Sequence, residues 1–200
     1  MFTGIITDVG IIDNIKKLND YDIEIVTILN KYQDIKIGDS IANNGVCLTV
    51  TELNNNKAKF FISKETIRCS NFGNIEVGSL INIEQSLKLS DGLSGHLVSG
   101  HVDYVAEILN ITKAKDSYEF IISISPDYRK YFIDKGSVAI NGISLTVNKV
   151  LDDNKISLNI IPHTLNNTNL KNAVIGDRVN IEVDMVAKYI LGSVNVYTKK

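Results

Sequence analysis

Two matched phrases set a thiol and a hydroxyl where chemistry could occur. Asn44-Gly45-Val46-Cys47-Leu48-Thr49-Val50 recurs as Asn141-Gly142-Ile143-Ser144-Leu145-Thr146-Val147, 97 positions on, so Cys47 and Ser144 are counterparts. Thr49 and Thr146 lie two residues further, and in a strand that spacing puts each on the same face as its Cys or Ser. Neither Cys47 nor Ser144 reads as an activated nucleophile: no G-x-S-x-G elbow surrounds Ser144, and no helix N-terminus obviously precedes Cys47. A buried cysteine is often only a small hydrophobe, and a serine beside a turn often bonds its own backbone. If these positions are functional, polar contact with a ligand suits them best.

Proton transfer has other candidates. Asp184 closes an alternating apolar run, and its counterpart in the first copy is Ser86, so a carboxylate stands against a hydroxyl. A proton-transfer step can use that asymmetry, although an aspartate there also suits the N-cap of a following helix. His101 stands opposite Ile5, and His163 opposite Glu65, each of the last two being followed by a threonine, Thr164 or Thr66. Imidazole is the side chain best matched to proton exchange near neutral pH. Cys47 and Cys69 have no C-x-x-C spacing, and three histidines make a poor ligand set, so neither a disulfide nor a metal is expected.

The elements that must position these residues come in two copies. Phe2-Thr3-Gly4 matches Val98-Ser99-Gly100, and Val77-Gly78-Ser79-Leu80-Ile81-Asn82-Ile83-Glu84 matches Ile175-Gly176-Asp177-Arg178-Val179-Asn180-Ile181-Glu182. Within each copy the period is two: Tyr21, Ile23, Ile25 and Thr27, then Phe120, Ile122 and Ile124, then Ile156, Leu158 and Ile160 alternate with mostly polar neighbours. Turn signals at Asn19-Asp20, Asn54-Asn55-Asn56 and Asp152-Asp153-Asn154 leave little room for crossover helices. The expected class is all-β: two tandem, homologous, closed antiparallel Greek-key barrels, over 1–96 and 97–184, with a C-terminal α-helix and tail over 185–200. A short helix is expected from Tyr128 to Ile133, with Ser125 as capping hydroxyl before Pro126. Residues 87–96 read as a polar linker. The apolar tail helix, weakened by Gly192, most economically packs against another subunit.

Composition removes other classes. Net charge is -2, from 21 basic and 23 acidic residues scattered along 200 positions, so no nucleic-acid or charged-membrane partner is expected. No apolar run approaches the roughly 20 residues of a membrane span, and the start carries no leader pattern, so cytoplasm is the expected compartment. No G-x-G-x-x-G fingerprint supports a nicotinamide-using reductase on a similar barrel.

Seven phrases, in order, resemble one family. They are Met1-Phe2-Thr3-Gly4-Ile5-Ile6, the two phrases around Cys47 and Ser144, Lys64-Glu65-Thr66, Gly95-His96-Leu97-Val98-Ser99-Gly100-His101, Ile161-Pro162-His163-Thr164 and Asn180-Ile181-Glu182-Val183-Asp184. Together they closely resemble riboflavin synthase of the two-repeat (alpha-chain) type, from residue 1 to about 190. The resemblance implies a dismutation of two 6,7-dimethyl-8-ribityllumazine molecules, one passing a four-carbon unit to the other, to give riboflavin and 5-amino-6-(D-ribitylamino)uracil, the last step of riboflavin biosynthesis. It implies no metal or redox cofactor, a homotrimer with sites between subunits, and lumazine synthase as a candidate associate.

By the same resemblance, Gly4, Ile5, Ile6, Cys47, Leu48, Thr49, Phe61, Ile62, Ser63, Lys64, Glu65 and Thr66 belong to one lumazine site. Gly100, His101, Val102, Ser144, Leu145, Thr146, Ile161, Pro162, His163 and Thr164 belong to the other, with Lys135 reaching in from another chain. His101, Ser144 and Asp184 are the implied proton-transfer or water-positioning groups, with Cys47 and Thr49 orienting the partner ring, and Cys47 and Thr146 are counted with the catalytic residues. A non-catalytic lumazine or flavin antenna protein of the same fold is the alternative, because a fold alone does not fix function.

Overall fold

A computed structural model describes residues 1–31 and 34–198. In the first repeat β1 (Asp8–Lys17), β2 (Ile23–Ile28), β3 (Ser40–Asn43), β4 (Val46–Asn54), β5 (Lys57–Ile62) and β6 (Leu80–Gln85) close into an antiparallel barrel, in the order β1-β2-β5-β4-β3-β6. In the second repeat β7 (Tyr104–Lys113), β8 (Tyr118–Ser123), β9 (Ser137–Ile140), β10 (Ile143–Leu151), β11 (Lys155–Ile160) and β12 (Arg178–Val183) close in the order β10-β11-β8-β7-β12-β9. Closure leaves no open sheet edge.

Alternation decides what each strand buries. On β4, Val46, Leu48 and Val50 enter the first core beside Ile12, Ile25, Phe60 and Ile62, while Cys47, Thr49 and Thr51 face outward. On β10, Ile143, Leu145 and Val147 do the same with Phe120, Ile122, Ile156 and Leu158, leaving Ser144 and Thr146 outside. The hairpins joining β3 to β4 and β9 to β10 are two-residue turns with both central residues left-handed: Asn44 (φ 48°) and Gly45 (φ 78°), then Asn141 (φ 46°) and Gly142 (φ 78°). Asn-Gly is the pair that makes this turn at low cost, and the turn twist matches that of the strands.

A pseudo-twofold relation joins the barrels. The backbones of Phe2 and Val98 exchange two hydrogen bonds, 2.8 and 3.1 Å, and the two Asn-Gly tips touch. Asn82 Nδ2 donates to Asn141 O at 3.0 Å, and Asn180 Nδ2 donates to Asn44 O at 2.8 Å. Each repeat's leading segment leans on the other barrel, with Ile6 packed on the second core and Val102 on the first.

Several local expectations change. Tyr21 lies outside β2, and β8 stops at Ser123, one residue short of Ile124. The helix expected from Tyr128 to Ile133 is a 3-10 turn over Pro126–Tyr131, and the Ser125 hydroxyl makes no capping bond, so the fixed φ of Pro126 starts the turn alone. Two short helices, α1 (Lys64–Cys69) and α2 (Pro162–Asn166), stand at matched places just after β5 and β11, where the strand pattern announced no helix. The tail helix α3 (Met185–Thr198) runs through Gly192; residues 199 and 200 of the expected tail lie outside the described residues. Among the described residues no helix is long and apolar enough to cross a membrane.

Candidate active site where the barrels cross

Ser144 sits at the start of β10, pinned from three sides. Its N–H donates to Gly4 O at 2.8 Å, and its Oγ lies 2.7 Å from His96 Nδ1. Gly4 (φ +76°) comes so near that an added Cβ would stand 2.6 Å from Ser144 Cβ; at Gly95 one would stand 2.0 Å from Thr3 O. Only glycine fits either place, since Gly95 has no room and Gly4 combines a left-handed φ with a tight approach. His96 is half-buried, and burial lowers its imidazole from the ordinary value of 6.5, against the opposing charges of Asp184 and Glu182. A neutral imidazole on a serine hydroxyl can accept or return a proton.

Cys47, the second residue of β4, stands in the equivalent frame with different neighbours. Its N–H donates to Gly100 O at 2.8 Å, and a Cβ at Gly100 (φ +80°) would stand 2.6 Å from Cys47 Cβ. Around it pack Phe2, Ala42, Val98 and Ala139. One member of the matched pair therefore meets an imidazole and the other an apolar cluster. The resemblance grouped Gly4 with Cys47 and Gly100 with Ser144. Within the chain the pairing is crossed, because each leading segment passes over the pseudo-twofold to the other barrel.

The remaining expected residues divide by accessibility. Thr49, Phe61, Ile5, Lys64, Glu65, His101, Lys135, Thr146, Ile161, Pro162 and His163 are exposed; Ile6, Ser63, Thr66, Val102, Thr164 and Asp184 are half-buried. Leu48, Ile62 and Leu145 point into the barrel cores, so their side chains are turned away from the outer face. Ser63 caps α1, accepting from Thr66 N at 3.3 Å, whereas α2 begins on Pro162. Glu65 pairs with Arg68, which with the Cys69 thiol holds its carboxyl down to about 2. Asp184 Oδ1 accepts from Val186 N at 2.9 Å, capping α3. Lys188 on that helix meets Asp103 at 2.8 Å, where burial pushes the Asp103 carboxyl up and the ammonium opposes it. In its own chain Lys135 Nζ donates to Asn148 Oδ1 at 3.0 Å.

Two features escaped the reading of the sequence. His96 is 48 residues from Ser144, and no local pattern announces their contact. Glu84 and Glu182, matched across the repeats, are 4% and 3% exposed. Burial pushes the Glu84 carboxyl up while the Thr3 and Gly4 donors pull it down. No sequence signal marked them: Ile81-Asn82-Ile83-Glu84 and Val179-Asn180-Ile181-Glu182 alternate as half-buried strands do, and only the fold buries both faces. Among the described residues no three His, Cys, Asp or Glu side chains gather as metal ligands, and both thiols are free.

The Lumazine binding domain family matches the chain twice, over residues 3–86 and 99–184. Riboflavin synthase of Actinobacillus pleuropneumoniae is 42% identical over 190 residues, spanning 95% of this chain and 88% of that one. Riboflavin synthase of Photobacterium leiognathi is 43% identical over 192 residues, 95% of this chain and 87% of that one. The chain belongs to the riboflavin synthase family. Among solved structures, LumP complexed with riboflavin superposes with a TM-score of 0.83 at 28% identity, covering 92% of this chain and 99% of LumP. LumP complexed with 6,7-dimethyl-8-(1'-D-ribityl) lumazine gives 0.81 at 26%, again 92% and 99%.

In this member of the riboflavin synthase family a cavity of about 970 Å³ lies beside Thr3, Ile5, Glu84 and the linker, and its lining includes neither Cys47 nor Ser144. The outward faces of β4 and β10, covered by the leading segments at Cys47 and Ser144, are exposed further along at Thr49, Thr51, Thr146 and Asn148. An open strand face covers one side of a flat heterocycle and leaves the other side to be covered.

Proposed function

We propose that this protein is a riboflavin synthase that dismutates two molecules of 6,7-dimethyl-8-ribityllumazine into riboflavin and 5-amino-6-(D-ribitylamino)uracil. The 35% to 43% identity with riboflavin synthases over nearly the whole chain supports the activity. The observation that carries the mechanism is the His96–Ser144 pair, 2.7 Å apart, at only one of two matched positions. Two identical substrates enter, yet one gives and the other receives, so the two pockets must differ.

Chemistry begins with loss of a proton from the 7-methyl of one lumazine, and the resulting carbanion attacks the second ring. Breaking and reclosing bonds moves the four-carbon unit, and the two products balance the two substrates with no outside oxidant. Ser144 and the neutral His96 exchange the proton, Asp184 balances the charge that forms, and His101 lies on the accessible rim for a second transfer. Cys47, Thr49 and Thr146 orient the rings, and holding these face to face supplies proximity. Gly4, Ile5, Ile6, Leu48, Phe61, Ile62, Ser63, Lys64, Glu65 and Thr66, with Gly100, Val102, Leu145, Ile161, Pro162, His163 and Thr164, form the two half-sites.

The open faces fit a homotrimer in which a neighbour covers each half-site, Lys135 reaches into a neighbour's pocket and α3 joins the subunits. Three units over 1–96, 97–184 and 185–200, a cytoplasmic location, and association with lumazine synthase complete the reading.

Purified protein is incubated with 6,7-dimethyl-8-ribityllumazine alone, and the riboflavin absorbance is followed. Steady riboflavin formation supports the enzyme. The likeness to LumP in complex with riboflavin and with the lumazine favours a second reading, a binding protein. Tight binding without product would establish that one instead.

A further inference from the structure

Taking Cys47 and Ser144 as site residues, as proposed above, we infer that Glu84 and Glu182 are positioning residues that act crosswise. Each clamps the leading turn of its own repeat, and that turn fixes the site residue of the other repeat.

The chain of contacts is unbroken in both directions. Glu84 Oε1 accepts from Thr3 N at 2.7 Å and Thr3 Oγ1 at 2.8 Å, and Oε2 accepts from Gly4 N at 3.0 Å. The carbonyl of the same Gly4 receives Ser144 N–H at 2.8 Å. In the other repeat Glu182 Oε1 accepts from Ser99 N at 2.7 Å and Ser99 Oγ at 2.6 Å. Its Oε2 accepts from Gly100 N at 2.9 Å and His101 N at 3.1 Å. Gly100 O then receives Cys47 N–H at 2.8 Å. Glu182 thus sets the backbone of His101 directly and that of Cys47 through Gly100.

The requirement is for a carboxylate. Its two oxygens accept from successive N–H groups that converge on one point, and hydrogen bonds to an ionised acceptor are shorter and stronger than neutral ones. A glutamine of the same shape has one acceptor oxygen, so its NH₂ must face at least one of these donors whichever way it turns. A buried carboxylate is expensive, and matched glutamates kept at mirrored places imply a task that apolar packing would not perform. Site residues tied to the partner repeat also give a duplicated chain a means of holding both pockets in one geometry.

The test is residue-resolved hydrogen–deuterium exchange on the full-length protein without substrate, beside steady-state kinetics. In Glu182→Gln the Cys47 amide should exchange at least about tenfold faster while the Ser144 amide changes less than about threefold. Glu84→Gln should reverse that pattern. In both variants kcat should fall at least about tenfold, from misplacement of the reacting geometry, with KM changing less. Equal acceleration at both amides, or acceleration confined to the glutamate's own repeat, overturns the crossed assignment. Crossed exchange with unaltered kcat overturns the positioning role. If either variant fails to fold, Thr3→Ala and Ser99→Ala, which each remove one hydroxyl bond to a clamp, are read by the same criteria. Wild-type turnover of the lumazine decides the proposed function separately, because the exchange pattern needs no substrate.

Discussion

Replacing Gly100 by alanine probes the crossing most directly, because two separable costs arise and a control isolates one. Gly100 has φ +80°, and an added Cβ would stand 2.6 Å from Cys47 Cβ, 2.9 Å from the Phe2 ring and 3.0 Å from Cys47 N. The left-handed backbone alone costs an alanine about 1–2 kcal/mol. Forcing a methyl into that contact adds about 1–3 kcal/mol, because two of the neighbours are the Cys47 main chain and its Cβ, which cannot swing aside. Gly78, with φ +91° and nothing within 4 Å of its Cβ, carries only the first cost. Gly100→Ala should therefore be about 1–3 kcal/mol less stable than Gly78→Ala, a Tm difference of roughly 2–12 °C at about 2–4 °C per kcal/mol for a chain of this size. Denaturant unfolding of both variants measures the gap. Turnover should separate them further: a shift of about 1 Å at Cys47 costs on the order of a hundredfold, and Gly78→Ala should leave turnover near wild type. Equal stability within about 0.5 kcal/mol would refute the close approach of Gly100 to Cys47, and with it the crossed geometry.

Asp184→Asn should keep α3 capped, since asparagine caps as well as aspartate, yet lower turnover about tenfold or more with ligand affinity retained; full activity would remove Asp184 from the mechanism. Burial lowers the folded pKa of His96 below 6.5, so the unfolded chain takes up a proton first. His96 therefore gives its full stability above pH 6.5 and loses it as pH falls below that value, and His96→Gln should flatten this slope in denaturant titrations between pH 5 and 7; an unchanged slope counts against a buried neutral imidazole. Lys188→Met strands the Asp103 carboxylate and should cost about 1 kcal/mol or more, the pair being part-exposed, so a neutral result in unfolding experiments would remove this tie as an anchor of α3. Ending the chain after Asp184 should abolish the proposed trimer, and an unchanged mass in solution would show that α3 does not organise it.

Local rules made the scaffold legible and the contacts between repeats illegible. Period-two alternation at Ile23, Ile25 and Thr27 or Ile156, Leu158 and Ile160 is a property of neighbours in sequence, and the strands followed it. The Asn-Gly pairs likewise specify their turns alone. Helices α1 and α2 are too short for a 3.6-residue period to register, though Ser63 with Thr66, and Pro162, were usable start signals. His96 against Ser144 and Gly100 against Cys47 join segments 48 and 53 residues apart, and nothing local encodes that the leading segments cross. The repeat comparison singled out Cys47, Ser144 and Asp184 as candidates because it exposes differences at matched positions. It passed over Glu84 and Glu182 because these are the same in both copies.

That blindness has a physical lesson for duplicated sites. On the proposed function, a residue kept in both repeats serves what the two pockets share, and a residue that differs serves what distinguishes donor from acceptor. Here the shared set (Glu84 with Glu182, Gly4 with Gly100, Asn44 with Asn141) builds backbone geometry, through carboxylate clamps of three and four donors, left-handed glycines and mirrored turns. The differing set hangs on that frame: Cys47 among Phe2, Ala42, Val98 and Ala139, and Ser144 bonded to His96. Converting one pocket toward the other should then need changes only in the differing set. Cys47→Ser should leave stability within about 1 kcal/mol, because the outward half-buried sulfur lies at the rim of its cluster, but should not make the first pocket a proton-transfer site, since it brings no imidazole. Turnover in a Cys47→Ser/Ser144→Ala double variant should therefore match that of Ser144→Ala. Recovery of activity in the double variant would mean that the hydroxyl alone, and not its pairing with His96, carries the asymmetry.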